Sequence, residues 1–340
     1  MKKQLILSFL ISLFLLVIYQ KFYHTSHDAT LLISLIFWTA LSQGMIALAA
    51  AGDLTKASWI LPVKQNLQKF YPFLAILPSV FFIFSGELSL YPWFHNPGRW
   101  LNQSFFISRN ISLLGLTFLS AHFYVANSTK NSTNKNFWAV LYLISFVLNQ
   151  SLIAFDWVMP LEYPWVSTLF GGYFFVEAFY AGIAMTAIFS AILSEKSHEF
   201  KEPLKDCATL IFGFSLFWAG LFFSQYLVIW YGNLPEEVSF FFKRFQHKSL
   251  VFLGLIILLS FFVIPFLTLI FEKTKKSPLV VMGVSLMILC AFLLEKIFIF
   301  STVSAMSPVF ICLNTILIGL PFIIIFKEQL FEAQKRFDKK

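Results

Sequence analysis

Charge is what this sequence has least of. Only 12% of the 340 residues are Asp, Glu, Lys or Arg, against 58% hydrophobic, where a soluble domain carries ~25% charged residues. A water-facing surface cannot be built from so little charge, and the mean hydropathy of +0.76 excludes a soluble protein. Cysteine is scarce too. Cys207, Cys290 and Cys312 stand far apart with no C-x-x-C, which excludes a thiol pair and an iron–sulfur cluster held by this chain alone. Of His24, His27, His95, His122, His198 and His247, only His122 falls inside an apolar run. A haem held by two histidines within a bundle is therefore excluded as well. There is no Gly-rich phosphate loop, no H-E-x-x-H and no Ser-His-Asp arrangement. Any redox chemistry here must borrow its cofactors, and no metal site is expected. The net charge of +8 is spread between apolar runs rather than gathered in a stripe, so nucleic acid is not an expected partner.

What is present is long apolar runs. A membrane helix needs ~20 apolar residues to cross ~30 Å of hydrocarbon. Ten runs qualify, at approximately 4–20, 30–51, 72–91, 105–126, 137–157, 165–193, 206–231, 249–271, 278–300 and 306–326. The expectation is an all-α polytopic membrane protein, one integral domain over residues 1–340, with no connection long enough for a soluble domain. The 45 Phe report lipid-facing and interhelical surface and carry no functional assignment.

Alternate connections hold very different numbers of cations. One set carries 18 of the 25 Lys and Arg; the other carries Lys21, Arg99, Lys243, Arg244 and Lys248, with Arg109 and Lys296 inside runs. The positive-inside rule then puts both termini in the cytoplasm. Lys2 and Lys3 before an apolar core imitate a signal peptide, but no small-residue cleavage site follows, so a retained first helix is expected. Residues 56–71 read as a segment along the cytoplasmic interface, and 235–248 as a short aromatic interfacial helix on the outer side. Tyr91-Pro92-Trp93 and Tyr163-Pro164-Trp165 hint at two related halves.

Ionisable residues at membrane depth are costly, by ~2.5–3.5 kcal/mol on insertion scales, and mark interior or water-lined positions. The stretch 149–177 concentrates them, with Asp156, Glu162 and Glu177 around Pro160 and Pro164. By depth, Glu87, Arg109, Asp156, Glu295 and Lys296 fall toward the outer side, Glu177 near mid-membrane, and His122 toward the cytoplasmic end. Gln150, Gln225, Glu162, Glu236 and Glu237 lie near the outer group. Three readings stay open: charge pairs between helices, a proton or ion path, and a pocket for a polar head group. Arg109 is expected to neutralise Glu87 or Asp156, and Lys296 another carboxylate. Glu295 and Lys296, adjacent on a helix and ~100° apart, are not expected to pair with each other.

Two ordered blocks carry a family resemblance. Phe155-Asp156-Trp157-Val158-Met159, followed by Leu161-Glu162, Trp165, Ser167-Thr168 and Phe170-Gly171, is the first. Phe217-Trp218-Ala219, Phe223-Ser224-Gln225-Tyr226 and the run Ile229-Trp230-Tyr231-Gly232-Asn233-Leu234-Pro235-Glu236-Glu237 form the second. They resemble the NrfD-like membrane subunits of the bacterial alternative complex III, nearest to the ActF type, closely over 155–171 and 213–244 and elsewhere in helix pattern only. The resemblance implies a ten-helix NrfD or polysulfide-reductase-anchor-like bundle in the bacterial inner membrane. It also implies a quinol:electron-acceptor oxidoreductase in which this subunit binds no cofactor and helps to conduct protons, quinol being a possible ligand. The implied partners are a sister NrfD-like subunit and the iron–sulfur and cytochrome c subunits that hold the clusters and haem c. Asp156, Glu162, Gln225, Glu236 and Glu237 are the motif residues carried over. Two departures remove proton carriers. Glu162-Tyr163-Pro164-Trp165 stands where the family has Glu-Pro-His-Trp, and Leu204-Lys205-Asp206-Cys207 where it tends to have His-Asp-Leu-Gly. The alternatives are a quinone-binding NrfD-like anchor of another periplasmic complex and a stand-alone ion-coupled transporter.

Two further expectations follow. Asp156, Glu162 and Glu236 or Glu237 form an outer carboxylate cluster. A proton path takes in protons at His122, passes Glu177 with the Tyr173 hydroxyl one turn away extending the chain, and leaves by Asp156.

Overall fold

The computed structural model describes residues 2–23, 28–304 and 306–337. His24 and His27, and the terminal Lys339 and Lys340 counted for topology, lie outside the described residues. The helices in chain order are α1 (Lys2–Tyr23), α2 (Thr30–Leu54), α3 (Leu61–Gln68), α4 (Leu77–Phe84), α5 (Gln103–Thr129), α6 (Lys135–Leu152) and α7 (Phe170–Ser194). They continue with α8 (Lys201–Gly232), α9 (Pro235–Phe245), α10 (Lys248–Leu258), α11 (Ile264–Leu269), α12 (Glu272–Lys275), α13 (Pro278–Phe300) and α14 (Pro308–Phe337). Among the described residues there is no strand, and ten helical spans are long and apolar enough to cross a membrane. That is the pattern of a multi-pass membrane protein. The short α3 and α9 fall at the two segments expected to lie along the interfaces.

The centre is α2 against α7. The apolar window of α2 is wholly buried and that of α7 is 89% buried, whereas those of α1, α8 and the α10–α11 span are only 22%, 28% and 22% buried and so form the rim. The two central backbones touch through small residues. A Cβ on Gly44 would lie 2.0 Å from the Ala178 carbonyl oxygen, and one on Gly182 2.3 Å from the Gly44 carbonyl carbon. Without a hydrophobic drive between helices in lipid, such close approach supplies the packing.

Three spans expected as continuous helices are interrupted, each for a reason in the sequence. The run 72–91 is divided into a tight turn Tyr71–Ala75, then α4, then a second tight stretch Ser85–Leu90, with Pro72 and Pro78 each starting a piece and Glu87 at non-helical φ −110° and ψ 19°. Proline removes a donor and restricts the residue before it. The run 137–157 ends as α-helix at Leu152, and its last turn, Ile153–Val158, widens around Asp156 before Pro160. The eighth span widens at Leu259–Val263 before Pro265.

In lipid, every carbonyl that a proline frees needs another donor. Pro265 cannot donate to Phe261, and the Tyr180 hydroxyl of α7 donates to that carbonyl at 3.2 Å. Pro321 inside α14 likewise leaves the Leu317 carbonyl, which accepts from Ser12 of α1 at 2.6 Å. Hydroxyls on neighbouring helices thus complete the broken ladders and pin rim to centre. The two Tyr-Pro-Trp tripeptides do not play equal parts, since Tyr91 is 1% exposed and Tyr163 76%. We expect Tyr180→Phe and Ser12→Ala each to lower stability by about 1–3 kcal/mol, the cost of an orphaned buried acceptor. Thermal unfolding in detergent measures it, with Ser108→Ala, an exposed hydroxyl, as the unaffected control.

Candidate functional site

Lysine crowds one face of the bundle; the termini of α9 and the prolines of 160–164 lie at the other. On the lysine-rich face Asp53, which sequence reasoning missed, is the main tie. Its carboxylate accepts from Lys64 at 2.9 Å, Lys135 at 3.1 Å, Tyr124 at 2.8 Å and Ser128 at 3.0 Å. Four donors saturate it, so it fastens α2, α3, α5 and α6 together. The available signal was an acid closing the Ala-rich end of an apolar run.

On the opposite face Asp156 and Glu162 each have their own cation. Asp156, fully buried, accepts from Arg109 Nε at 2.6 Å, Asn110 at 2.9 Å and the Trp100 indole at 3.1 Å. The Arg109 guanidinium lies 4.2 Å over the Trp100 ring. Of the two partners foreseen for Arg109, Asp156 is the one it binds, while Glu87 accepts from Gln20 at 2.8 Å. Glu162 accepts from Arg244 at 2.5 Å, Thr302 at 2.6 Å and Lys243 at 3.4 Å.

Arg244, also missed, is fully buried and donates to the Phe240 carbonyl at 2.6 Å, the Phe298 carbonyl at 3.2 Å and the Ile299 carbonyl. Burial draws its guanidinium below the ordinary arginine value, and the Glu162 charge partly offsets this; it stays charged. One residue thereby fastens α9 to the last carbonyls of α13. The expected acid cluster does not form. The two sequence blocks do meet on one face through Glu162 and Arg244, but Asp156 and Glu162 are neutralised separately, Glu236 is exposed and Glu237 half-buried. A dry carboxylate is satisfied by a cation and donors, not by another carboxylate.

The group around Glu177 is different. Tyr173 and Glu177, one turn apart on α7, face Glu295 and Lys296 on α13. Lys296 Nζ binds both Glu177 and, at 2.5 Å, Glu295, while the Tyr173 hydroxyl donates to Glu295. Adjacent Glu295 and Lys296 therefore do pair, against expectation. Their Cβ vectors diverge, but the long lysine stem and the glutamate both bend toward α7, where Glu177 and Tyr173 wait. Tyr173 extends the network from Glu295 rather than from Glu177. The ammonium is sandwiched 4.1 Å from the Phe174 centroid and 4.7 Å from that of Phe292. Two carboxylates share one ammonium, so the group holds one negative charge or one proton, and Glu177 Oε1 has no hydrogen-bond partner among the described residues.

This network opens on a cavity of about 360 Å³ between α7, α8, α9, α10 and α13. Phe240, Phe241 and Phe245 of α9 roof it, Phe222 and Leu255 form walls, and its polar points are Glu295, Tyr173, Gln225, Tyr226 and Trp218. The buried Trp218 indole N–H has no acceptor among the described residues. Gln225, 8% exposed, lines the same space. The site thus offers an aromatic slot with an unused donor and a carboxylate at its inner end, the make-up of a small-ligand site. His122 lies elsewhere, exposed on α5 near Tyr71, in the half of the molecule toward the lysine-rich face. Its ring neighbours are Tyr71, Phe118 and Phe123, none of them part of the Glu177 network, and Gln150 instead donates to Gln43 at 2.9 Å.

Comparison with protein-family models and with curated proteins finds no match to this chain.

Because Arg244 holds α9 over the cavity, we expect Arg244→Lys, which keeps the charge but loses the fork of donors, to cost about 2–4 kcal/mol through acceptors left unpaired at Glu162 and the α13 carbonyls. Hydrogen exchange should rise in 235–245 and stay unchanged in α2.

Proposed function

We propose that this chain is a cofactor-free membrane subunit of a quinol:electron-acceptor oxidoreductase of the alternative complex III type. In this reading it sits in a bacterial inner membrane, its lysine-rich face and both ends toward the cytoplasm, beside a sister membrane subunit and iron–sulfur and cytochrome c partners. The observation that carries the reading is the aromatic cavity ending on Glu295 and Tyr173. A quinol ring suits it chemically. One ring hydroxyl donates to the Glu295 carboxylate, a ring oxygen accepts from the Trp218 indole, and the phenylalanines of α9 exclude water. The residue pattern of 155–171 and 213–244 supports the same reading, since those blocks supply Glu162, Trp218, Gln225 and, of the α9 roof, Phe240 and Phe241.

Proton handling falls to the charge-unbalanced group. A proton on the Glu177–Lys296–Glu295 set neutralises it, and its departure restores the negative charge, so the set holds and releases one proton without moving a helix. Asp156, saturated by Arg109, Asn110 and Trp100, serves this reading as a structural anchor rather than an exit. The same cavity also favours a second reading, a quinone-binding anchor of a different periplasmic redox complex. A stand-alone ion-coupled transporter would use the unbalanced acids alone.

Purifying the tagged chain from its native membrane in mild detergent separates these readings. Co-purification of c-type haem absorbance and iron–sulfur signals is expected; a chain that arrives alone and active overturns the proposal. Within the complex, Glu177→Gln should leave assembly intact and lower proton release coupled to turnover by about tenfold or more, in the range of general acid–base effects. Normal release by that variant places the proton elsewhere.

A further inference from the structure

The aromatic cavity is closed on three sides. Toward α7 and α13 it ends on Phe170, Tyr173 and Ile299, none of them more than 6% exposed. Its roof is α9, which Arg244 fastens down through the Phe298 and Ile299 carbonyls. At its base the Trp218 ring stacks on Phe261 at 4.8 Å, which joins α8 to the widened turn of the eighth span. The fourth side is different. The lining residues that are exposed, Tyr226, Phe245, Val251 and Leu255, stand on α8, on α10 and at the end of α9. Because the apolar windows of α8 and the α10–α11 span are only 28% and 22% buried, the cavity opens sideways between two rim helices, onto lipid. From Trp218 to Tyr226 the opening runs ~12 Å along α8 at 1.5 Å per residue, room for a hydrocarbon chain.

Resting on the quinol reading, we propose that the gap between α8 and α10 is both the entry and the tail subsite of the ligand, so that the substrate is a quinol with a long apolar tail that arrives from the lipid, head first. The distribution of polarity along the cavity selects this class. The carboxylate of Glu295 and the indole N–H of Trp218, which has no acceptor among the described residues, lie at the closed end. The open end presents Val251, Gly254, Leu255 and the Tyr226 ring. An amphiphile that fits both ends points its polar group into the protein and its chain out to lipid. A phospholipid cannot take that orientation, since its charged head would lose its water among aromatic rings without a counter-charge of its own. A small neutral head with a hydroxyl loses far less, and it finds an acceptor in Glu295 and a donor in Trp218.

The test is photolabelling of the full chain in lipid nanodiscs with a benzoquinol whose ten-carbon tail carries a diazirine near its end, read residue by residue by mass spectrometry. Labels are expected on Tyr226, Val251 and Leu255, and excess quinol with the same tail but no diazirine should displace them. Labels on Phe252, which is 65% exposed and does not line the cavity, should persist. Gly254 supplies the variant. A Cβ there would meet Phe298 at 3.6 Å, an ordinary contact, so Gly254→Leu narrows the gap without a clash. By calorimetric titration its affinity for the tailed quinol should fall about tenfold further than its affinity for the same ring without a tail, the effect of roughly two methylenes losing their burial. Should Gly254→Leu fold poorly, Val251→Trp, at an exposed position, carries the same comparison. Displaceable labels outside α8 and α10, labels in the gap that excess quinol leaves in place, or equal loss of both affinities overturns the proposal while the quinol reading stands. Failure of both quinols to bind overturns the two together.

Discussion

An ammonium and two carboxylates buried within an apolar bundle are a costly arrangement. Moving one such ion from water into a dry interior costs several kcal/mol even after relaxation, so the group persists only because its members satisfy one another. Lys296 reaches from α13 to Glu177 on α7, and Tyr173 closes the loop onto Glu295. This fixes α13 against the central helix and sets one wall of the cavity. The wall opposite is α9, whose own position depends on a second buried pair, Arg244 with Glu162. The cavity is therefore bounded by ion pairs rather than by packing alone.

The same demand for partners explains where the chemistry can and cannot reside. Asp53, Asp156 and Glu162 each accept at least three donors, which leaves them little capacity for change. Among the described residues the α7–α13 group combines an excess of acid with an unpartnered oxygen and an opening to a space large enough for a ligand. The backbone obeys the rule too, with Tyr180 and Ser12 serving carbonyls that prolines release.

Much of this was legible in the residues, because hydropathy reports burial in lipid directly. The ten spans and the short helices α3 and α9 emerge from apolar runs and their flanking cations. The partition of residues 72–91 was written in Pro72 and Pro78, but a run of uniform hydropathy masks a broken backbone. Glu177, Tyr173, Glu295 and Lys296 stood out as costly groups at depth, yet their pairing depended on how α7 and α13 are brought together, which helical spacing along one chain segment does not encode. For the neighbours Glu295 and Lys296 the spacing argument pointed the wrong way, since it follows Cβ directions and long side chains do not. Asp53 and Arg244 were illegible for a related reason. Each looked like an ordinary charge beside an apolar run, and only the helices converging on it made it a hub.

The account rests on Glu177 and Lys296 being mutually dependent, and a double-mutant cycle on unfolding in detergent tests that directly. Glu177→Gln and Lys296→Met should each destabilise the chain, the lysine change by about 3–5 kcal/mol because it strands two buried acids. The double variant should recover much of the loss, with a coupling of about 2 kcal/mol or more. Additivity of the two changes within about 0.5 kcal/mol would contradict the account.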